Sequence, residues 1–274
     1  MKYELHCHSW YSKGRKIRWE CMMPPEQIVR VLKEKGFGGV AITDHDSVKS
    51  WPGAKKAAKK YDMVFIPGIE ISSSAGHVIG LGLSEGIRPG QTLEETLDAI
   101  HGQGGIAVAP HPFDLKGEGI GEGFIKCDAA EIFNSLNSSR LENIKAERKI
   151  RKAGIPAVGG SDAHSFGMLG RTINVIDAHD MDSASREIKK GRVRVHGTYT
   201  PVPVIVAWVR ERMTWSYDDI IKYIEKNYSP PRRKLARFML DWFINSDSKA
   251  WDALGYFSIG TSVVYSALRT IYSA

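Results

Sequence analysis

The alternation of short apolar runs with helical patterns constrains this chain more than any other feature, and it continues through the first 200 residues. Such alternation predicts an α/β fold made of repeated strand and helix units. The predicted strands are Tyr3–His8, Gly39–Thr43, Val64–Ile71, Val78–Leu83, Ile106–Ala109, Ala129–Phe133, Pro156–Gly160 and Thr172–Ile176. The predicted helices are Pro25–Lys35, Gly53–Tyr61, Thr92–Gln103, Leu141–Ala153 and Ser183–Lys190. This many units favours a closed or nearly closed barrel over an open doubly wound sheet.

The pattern changes after residue 200, where helices alone are predicted. They are Val204–Arg212, Tyr217–Lys226, Arg232–Asn245 and Ala250–Tyr272. We therefore predict a barrel over residues 1–200 and a helical C-terminal extension over residues 201–274. The segment Ala253–Leu268 has no charged residue, but its 16 residues fall short of the roughly 20 that span a bilayer. A packed helix, and no membrane partner, is expected.

Composition excludes several classes of protein. With 42% hydrophobic and 25% charged residues, the 274-residue chain is neither disordered nor collagen-like. Its three cysteines, Cys7, Cys21 and Cys127, offer no disulfide framework, and Met1–Glu4 does not open a secretory signal, so a cytoplasmic protein is expected. The net charge of +7 is compatible with an anionic partner without selecting one, and no obligate protein partner is indicated.

Histidines and carboxylates gather at the ends of the predicted strands. His6 and His8 stand two residues apart, a spacing that turns both rings to one face of a strand. The other candidates are Asp44, His45, Asp46, Glu70, His77, His111, Asp162 and His164. In a barrel, the carboxyl ends of the strands meet on one face, so these side chains should converge. A mixed set of imidazoles and carboxylates favours Zn²⁺, Mn²⁺ or Fe²⁺, and its size predicts two or three ions.

Six stretches, in order along the chain, resemble the polymerase and histidinol phosphatase (PHP) superfamily of metal-dependent phosphoesterases. They are Glu4–Ser9, Thr43–Asp46, Pro67–Ser72, His77–Gly80, Pro110–Pro112 and Gly160–His164. The resemblance covers about residues 3–200 and implies a distorted (β/α)7, TIM-like barrel around a cluster of metal ions.

The resemblance also implies which residues hold which ion. The first ion would be held by His6, His8, Glu70 and Asp162. Glu70 would bridge to a second ion held by His77 and His111. In members with a third ion, the counterparts of His45 and His164 bind it together with an Asp or His from the first loop.

This chain departs from the family pattern in that first loop, which reads Ser12-Lys13-Gly14. A protonated lysine has no lone pair for a metal and repels a divalent ion. In the preferred interpretation Lys13 replaces the third cation and contacts a phosphate oxygen. Alternatively, His45, His164 and water bind a third ion, or Lys13 is a solvated loop residue.

The predicted reaction is hydrolysis of a phosphate ester by a hydroxide that bridges two ions. Lys13 or Arg15 would offset the charge that develops on the phosphate oxygens. His45 or His164 would protonate the leaving group if neither is engaged by a third ion.

Three further features are assigned supporting roles. Asp44 is expected to orient His45, and Asn134 either contacts a phosphate oxygen or caps its strand. The glycine-rich stretch Lys116–Gly123, which follows His111, is expected to form a mobile lid.

A nucleotide or another small phosphorylated metabolite is the predicted substrate. The alternatives are a PHP-type nuclease or exonuclease acting on DNA or RNA, and a non-catalytic metal-binding scaffold. An amidohydrolase fits less well, because that superfamily usually bridges its metals with a carbamylated lysine, whereas here Glu70 is the natural bridge. A polymer substrate requires a continuous basic track. The candidate residues are Lys13, Arg15, Lys16, Arg18, Lys55, Lys56, Lys59, Lys60, Arg232, Arg233 and Lys234.

Overall fold

The computed structural model describes residues 1–14, 18–258 and 260–261, and its strands form two five-stranded sheets. In chain order the strands are β1 (Lys2–Glu4), β2 (Gly39–Val40), β3 (Val64–Phe65), β4 (Gly68–Ser73), β5 (Gly76–Leu81), β6 (Ile106–Ala109), β7 (Ala129–Asn134), β8 (Ala157–Gly160), β9 (Thr172–Val175) and β10 (Arg194–Gly197). The first sheet has the order β10-β9-β1-β2-β3, and the second runs from β4 to β8 in chain order. The α/β class is therefore confirmed.

Eight named helices cover the sheets and form the C-terminal region. They are α1 (Pro25–Glu34), α2 (Trp51–Lys60), α3 (Leu93–Gly102), α4 (Arg140–Ala153), α5 (Met181–Lys189), α6 (Val202–Trp215), α7 (Tyr217–Asn227) and α8 (Pro230–Asn245). Residues 250–258 are also helical, and a 3₁₀ helix covers Gly121–Lys126. The part of the predicted helix Ala250–Tyr272 beyond residue 261 lies outside the described residues. Within the described ranges, no helix has the length and apolarity needed to cross a bilayer.

The hydrogen-bonded ladders do not close into one (β/α)7 barrel within the part of the chain that the structure describes. Both sheets are mixed. In the first, β1 pairs parallel with β2 and antiparallel with β9. In the second, β5 pairs antiparallel with β4 and β6, whereas β6 pairs parallel with β7. Single parallel bridges, between Cys7 and Ala163 and between His45 and Glu70, join the two sheets. The sheets therefore meet beside the predicted ligands without a continuous ladder around the molecule.

The predicted strand Val64–Ile71 is divided between the two sheets. β3 ends before Pro67, and β4 begins at Gly68 in the other sheet. Proline cannot donate a hydrogen bond to a ladder, so the pairing of β3 with β2 stops there. The break allows the chain to turn and places Glu70 on the second sheet.

The buried apolar side chains form three main clusters. α1 and α2 cover the first sheet with Ile28, Leu32 and Ala54, and Trp208 of α6 belongs to the same cluster. α3 and α4 cover the second sheet, and a third cluster joins β1, β5 and β6 to α5. Polar groups are concentrated instead beside the bridges that join the sheets, where eight histidines and carboxylates are buried. They are His6, His8, Asp44, Glu70, His77, His111, Asp162 and His164.

Candidate metal centre

Four donor atoms enclose one small space beside β1, β4 and β8. His6 Nε2 and His8 Nε2 are 3.2 Å apart. Each of these nitrogens lies 3.2–3.4 Å from Glu70 Oε2 and from Asp162 Oδ1. Five of the six distances among these atoms are therefore close to the edges of a regular tetrahedron whose vertices lie about 2.0 Å from its centre, the distance that Zn²⁺ keeps from imidazole and carboxylate ligands. The predicted first set of ligands is thus brought together in a geometry that suits a divalent ion.

The second oxygen of Glu70 faces two more imidazoles. His77 Nδ1 lies 3.0 Å from Glu70 Oε1, and His111 Nε2 lies 3.1 Å from the same oxygen. The two carboxylate oxygens therefore point toward different groups of nitrogens. This arrangement suits a carboxylate that bridges two ions, as the resemblance implies for Glu70.

A third group is formed by His45, His164 and a carboxylate that the sequence analysis did not select, Glu20. Glu20 Oε2 lies 3.8 Å from His45 Nε2, and Glu20 Oε1 lies 3.8 Å from His164 Nε2. The donor atoms of His8, His45 and His164 also lie within 4.8 Å of one another. Glu20 thus supplies an acidic oxygen where the first loop carries Lys13 in place of the family's ligand.

Lys13 itself points to aromatic neighbours. Its ammonium donates a 2.8 Å hydrogen bond to the Trp10 carbonyl oxygen and lies 3.6 Å from the centroid of the Trp19 ring. Partial burial and the nearby Arg18 lower the pKa of Lys13. The predicted phosphate-binding residue Arg15 lies outside the described residues, as does Lys16.

Buried polar groups orient the ligands from behind. Glu131 accepts hydrogen bonds from His6 Nδ1 at 2.8 Å and from the His111 amide at 2.9 Å. Asn134 donates to Glu131 and to Asp162 Oδ2, so its amide holds two carboxylates in place. Fixing the second nitrogen of an imidazole in this way fixes which nitrogen faces the metal. The sequence does point to Glu131, because a carboxylate within the apolar run Ala129–Phe133 is unusual for a buried strand.

The first loop reaches the centre through Ser9 and Ser12. The Ser12 hydroxyl lies 3.2 Å from His8 Nδ1 and accepts a hydrogen bond from the His45 amide. Asp44, expected to orient His45, instead accepts bonds from the Ser9 amide and hydroxyl at 2.6 and 2.8 Å. The loop is therefore tied to Asp44.

The glycine-rich stretch after His111 forms a wall of the centre. The His77 amide donates a 2.7 Å bond to the Glu118 carbonyl oxygen, and the Gly119 amide donates a 2.7 Å bond to Asp114 Oδ1. Gly119 packs so closely against the His111 carbonyl that a side chain has no room there. In this structure, the stretch predicted to act as a lid is bonded to two ligand-bearing segments.

The backbone is strained at two of the predicted ligands. Asp162 has φ of 51° and His111 has φ of 27°, values that residues with a side chain rarely adopt. Such conformations persist where the surrounding structure imposes them, and they concentrate at functional sites.

Opposite charges dominate the electrostatics of the centre. Burial raises the pKa of Glu70, but His45, His77 and His6 outweigh it and hold that pKa well below its ordinary value. Burial lowers the pKa of His6, yet Asp162, Glu131 and Glu70 together raise it well above its usual range. In the absence of metal, the carboxylates are therefore charged and depend on imidazolium protons for neutralisation.

The pKa values of His45 and His164 shift the other way. Burial lowers both, despite the neighbouring carboxylates. Both rings are therefore neutral at pH 7, the form that donates a lone pair to a metal.

Unpartnered atoms show that the residues fit divalent ions. Buried atoms without a hydrogen-bond partner include Glu70 Oε2 and the Nδ1 atoms of His45, His77 and His111. His45 Nδ1 is only 3.3 Å from Glu70 Oε2, without the geometry of a hydrogen bond. Leaving such groups unsatisfied in the interior is costly. Cations bound beside these atoms would satisfy them.

The fold and this donor set define a metal-binding α/β protein. Comparison with known families is consistent with that class: the PHP domain profile matches residues 4–110, and the profile of the PHP-associated region matches residues 140–193. The chain therefore belongs to the PHP superfamily of metal-dependent phosphoesterases, as the six motifs predict.

Similar sequences include proteins of archaea and bacteria. An uncharacterized protein of Methanocaldococcus jannaschii is 36% identical over 159 residues, which cover 56% of this chain and 92% of the relative. A second uncharacterized protein of that organism is 33% identical over 179 residues, which cover 62% of this chain and 68% of the relative. A 5′-3′ exoribonuclease of Haemophilus influenzae is 32% identical over 88 residues, covering 31% of this chain and 30% of that enzyme.

Similar solved structures share the fold. A two-domain protein of Bacteroides vulgatus, which contains a predicted PHP-like metal-dependent phosphoesterase, gives a TM-score of 0.58 at 16% identity and covers 76% of this chain and 69% of that one. An amidohydrolase of Chromobacterium violaceum with bound sulfate gives a TM-score of 0.52 at 18% identity and covers 71% of this chain and 98% of that one. At such identities these similarities speak for the fold alone.

Proposed function

We propose that this protein hydrolyses phosphate esters at a centre of three divalent ions, and that its substrate is a nucleotide or another small phosphorylated metabolite. The observation that carries the proposal is the cluster of His6, His8, Glu70 and Asp162. Both imidazoles lie 3.2–3.4 Å from both carboxylates, while the other Glu70 oxygen faces His77 and His111. Manganese, zinc or iron suits such a set of ligands.

Bound divalent ions supply Lewis-acid chemistry, because they lower the pKa of water so that it attacks phosphorus and offset charge on the phosphate oxygens. The protein's residues position this chemistry. His6, His8 and Asp162 would hold the first ion, His77 and His111 would hold the second, and Glu70 would be a ligand of both. Glu131 and Asn134 fix the orientation of these side chains through the bonds described above.

Glu20 is the basis for a third ion. Its carboxylate stands between His45 and His164, whose neutral imidazoles favour the role of ligand over that of general acid. Lys13, on its aromatic neighbours, is then free to contact a substrate phosphate beyond the ions. We therefore propose that Glu20 replaces the acidic ligand that the first loop lacks.

The second candidate function is a nuclease that removes nucleotides from the end of a strand. The similarity to 5′-3′ exoribonucleases over about a third of the chain favours it. Both candidates break the same kind of bond, so they differ in what lies beyond the scissile phosphate.

A hydrolysis screen tests the proposal. Purified protein loaded with Mn²⁺, Zn²⁺ or Fe²⁺ is assayed on phosphomonoesters, phosphodiesters and 5′-labelled single-stranded RNA and DNA. We expect hydrolysis that EDTA abolishes and that Glu70→Gln reduces by more than about 100-fold, since even residues behind the ligands typically account for 10- to 100-fold.

Glu34→Gln is the matched control, because Glu34 is an exposed carboxylate on α1 that pairs with Arg30 and contacts none of the candidate ligands. It should leave the rate unchanged. A metal-loaded protein that hydrolyses none of these substrates would overturn the proposal in favour of a non-catalytic metal-binding scaffold.

A further inference from the structure

Aromatic and cationic residues contact one another in the described part of the first loop. We define the aromatic rim as Trp10, Lys13, Trp19 and Trp215. Lys13 connects the Trp10 carbonyl oxygen to the face of the Trp19 ring. The Trp19 and Trp215 rings are 5.9 Å apart at 61°, an edge-to-face contact. Trp215 is the last residue of α6, so the rim joins the first loop to the C-terminal region.

Two indole side chains of the rim are exposed to solvent. Trp215 is 58% exposed and Trp10 is 40% exposed, whereas Trp208 and Trp251 are buried. An indole held by its neighbours with an open face has already lost most of its freedom, so stacking a second ring on it costs little further entropy.

The rim begins one residue away from the metal centre at two points. Ser12, which precedes Lys13, has its hydroxyl 3.2 Å from His8 Nδ1. Glu20, which follows Trp19, has its carboxylate 3.8 Å from His45 and from His164. The rim is therefore connected to the centre at two points of the chain, and we expect the group that adjoins a bound phosphate to meet the rim there.

Indole faces combined with an ammonium group suit one class of adjoining group especially well. Nucleobases stack on aromatic side chains regardless of their sequence, and a lysine beside the stack meets the phosphate backbone. We infer that the aromatic rim binds the nucleobase adjoining the scissile phosphate, so that the substrate is a nucleotide or the end of a single strand. The inference rests on the proposed function for the phosphate and adds the base.

The test compares ligands with and without a base. Binding of AMP, of ribose 5-phosphate and of a five-nucleotide oligoadenylate is measured by calorimetry on the wild-type full chain loaded with Mn²⁺, at a low temperature at which analysis of the sample after the titration shows each ligand intact. We expect AMP to bind more tightly than ribose 5-phosphate. Trp215→Ala should weaken AMP binding by about 5- to 150-fold, the range found for one base–aromatic stack, and leave ribose 5-phosphate unchanged.

Two variants separate stacking from folding. Trp215→Tyr keeps an aromatic face and should restore most of the AMP affinity. Phe238→Ala removes an aromatic ring of α8 that is 63% exposed and lies outside the rim, so it should leave AMP binding unchanged.

The outcomes distinguish the inference from the proposed function. Equal affinity for AMP and ribose 5-phosphate, or an unchanged AMP affinity in Trp215→Ala, overturns the base site even if phosphate esters are hydrolysed. Base-dependent binding that Trp215→Ala removes supports the site even if no ester is hydrolysed. The oligoadenylate distinguishes a single strand from a mononucleotide as the substrate. Tighter binding of the oligoadenylate than of AMP indicates a strand, and equal binding indicates a mononucleotide.

Discussion

At the scale of single residues, Glu70 organises the centre. Its carboxylate is faced by five imidazoles, those of His6, His8, His45, His77 and His111. Because their influence outweighs burial and keeps its pKa well below the ordinary value, Glu70 is ionised throughout the neutral range. A fully buried carboxylate with both oxygens directed at nitrogen ligands is suited to bridge two cations.

Gly119 shows how little space surrounds the second ion's ligands. A Cβ atom there would lie 2.7 Å from the Pro112 carbonyl carbon and closer still to the His111 carbonyl oxygen. We predict that Gly119→Ala displaces the segment carrying His111. Overpacking of this kind costs about 1–3 kcal/mol.

Thermal unfolding and Mn²⁺ titration check this prediction. The melting temperature should fall by about 2–4 °C for each kcal/mol, and the weakest-bound ion should be lost first. Gly102→Ala is the control, since a Cβ atom there meets nothing within 4 Å. Unchanged stability and metal affinity in Gly119→Ala would show that the wall is not rigid.

At the scale of secondary-structure elements, two capping boxes differ in their electrostatics. Ser139 and Glu142 cap α4, and Thr92 and Glu95 cap α3. Burial raises the pKa of Glu142 to about 7, whereas hydrogen bonds from Thr92 lower the pKa of the exposed Glu95. The same local motif therefore responds to pH with opposite signs.

We predict that Glu142 makes the protein less stable as the pH rises. A carboxyl with a raised pKa in the folded state contributes stability that is complete below its unfolded value, near 4.5, and is lost as the pH rises through about 7. Once the pH is well above 7, the free energy of unfolding has fallen by about 3 kcal/mol on account of Glu142. Glu142→Gln keeps the acceptor of the capping box and cannot ionise.

Urea unfolding of wild type and Glu142→Gln at about pH 5 and pH 8 tests the sign, with the stability difference expected to move toward the variant at the higher pH. Glu95→Gln should show the opposite sign at lower pH, because the lowered pKa of Glu95 favours the wild type above the unfolded value near 4.5 and this advantage is lost as the pH falls below it; a comparison at about pH 3 and pH 5 measures it. If the difference in unfolding free energy between wild type and Glu142→Gln does not change with pH, the pKa of Glu142 is not raised by burial.

Most elements were predictable because their signals are local. Strand β6 and helix α4 lie within a residue of their predicted bounds, and the capping box of α4 explains its sharp start. β10 (Arg194–Gly197) was missed, because it is short and largely exposed and therefore lacks an apolar run. The predicted strand Val64–Ile71 is divided at Pro67, because proline cannot donate a hydrogen bond to continue the pairing.

The centre was predictable where strand ends determine it. The histidines and acids that follow β1 and β8 converge because the sheets bring them together. Glu20 carries no local signal, since it lies in an irregular loop and meets His45 and His164 only through tertiary structure. The same holds for Lys13, whose contacts depend on Trp19.

At the scale of the whole molecule, the C-terminal helices contribute to the centre. The Trp208 ring of α6 lies 5.1 Å from the His164 ring, and its Nε1 donates a 2.7 Å bond to the Glu20 carbonyl oxygen. Arg212 of α6 lies 3.9 Å from the Glu20 carboxylate. The region predicted as an appendage thus supports the residue proposed to complete the third ion site.

The number of ions bound per chain tests the central claim most directly. Protein equilibrated with Mn²⁺ and freed of unbound ion is measured by plasma mass spectrometry. We predict about three ions for the wild type, about two for Glu20→Gln and about one or fewer for Glu70→Gln, because each carboxylate is assigned to a defined ion and Glu70 to two. A wild type that retains about two ions or fewer, or a Glu20→Gln variant that retains as many ions as the wild type, would contradict the third site; a Glu70→Gln variant that retains as many ions as the wild type would contradict the shared role of Glu70.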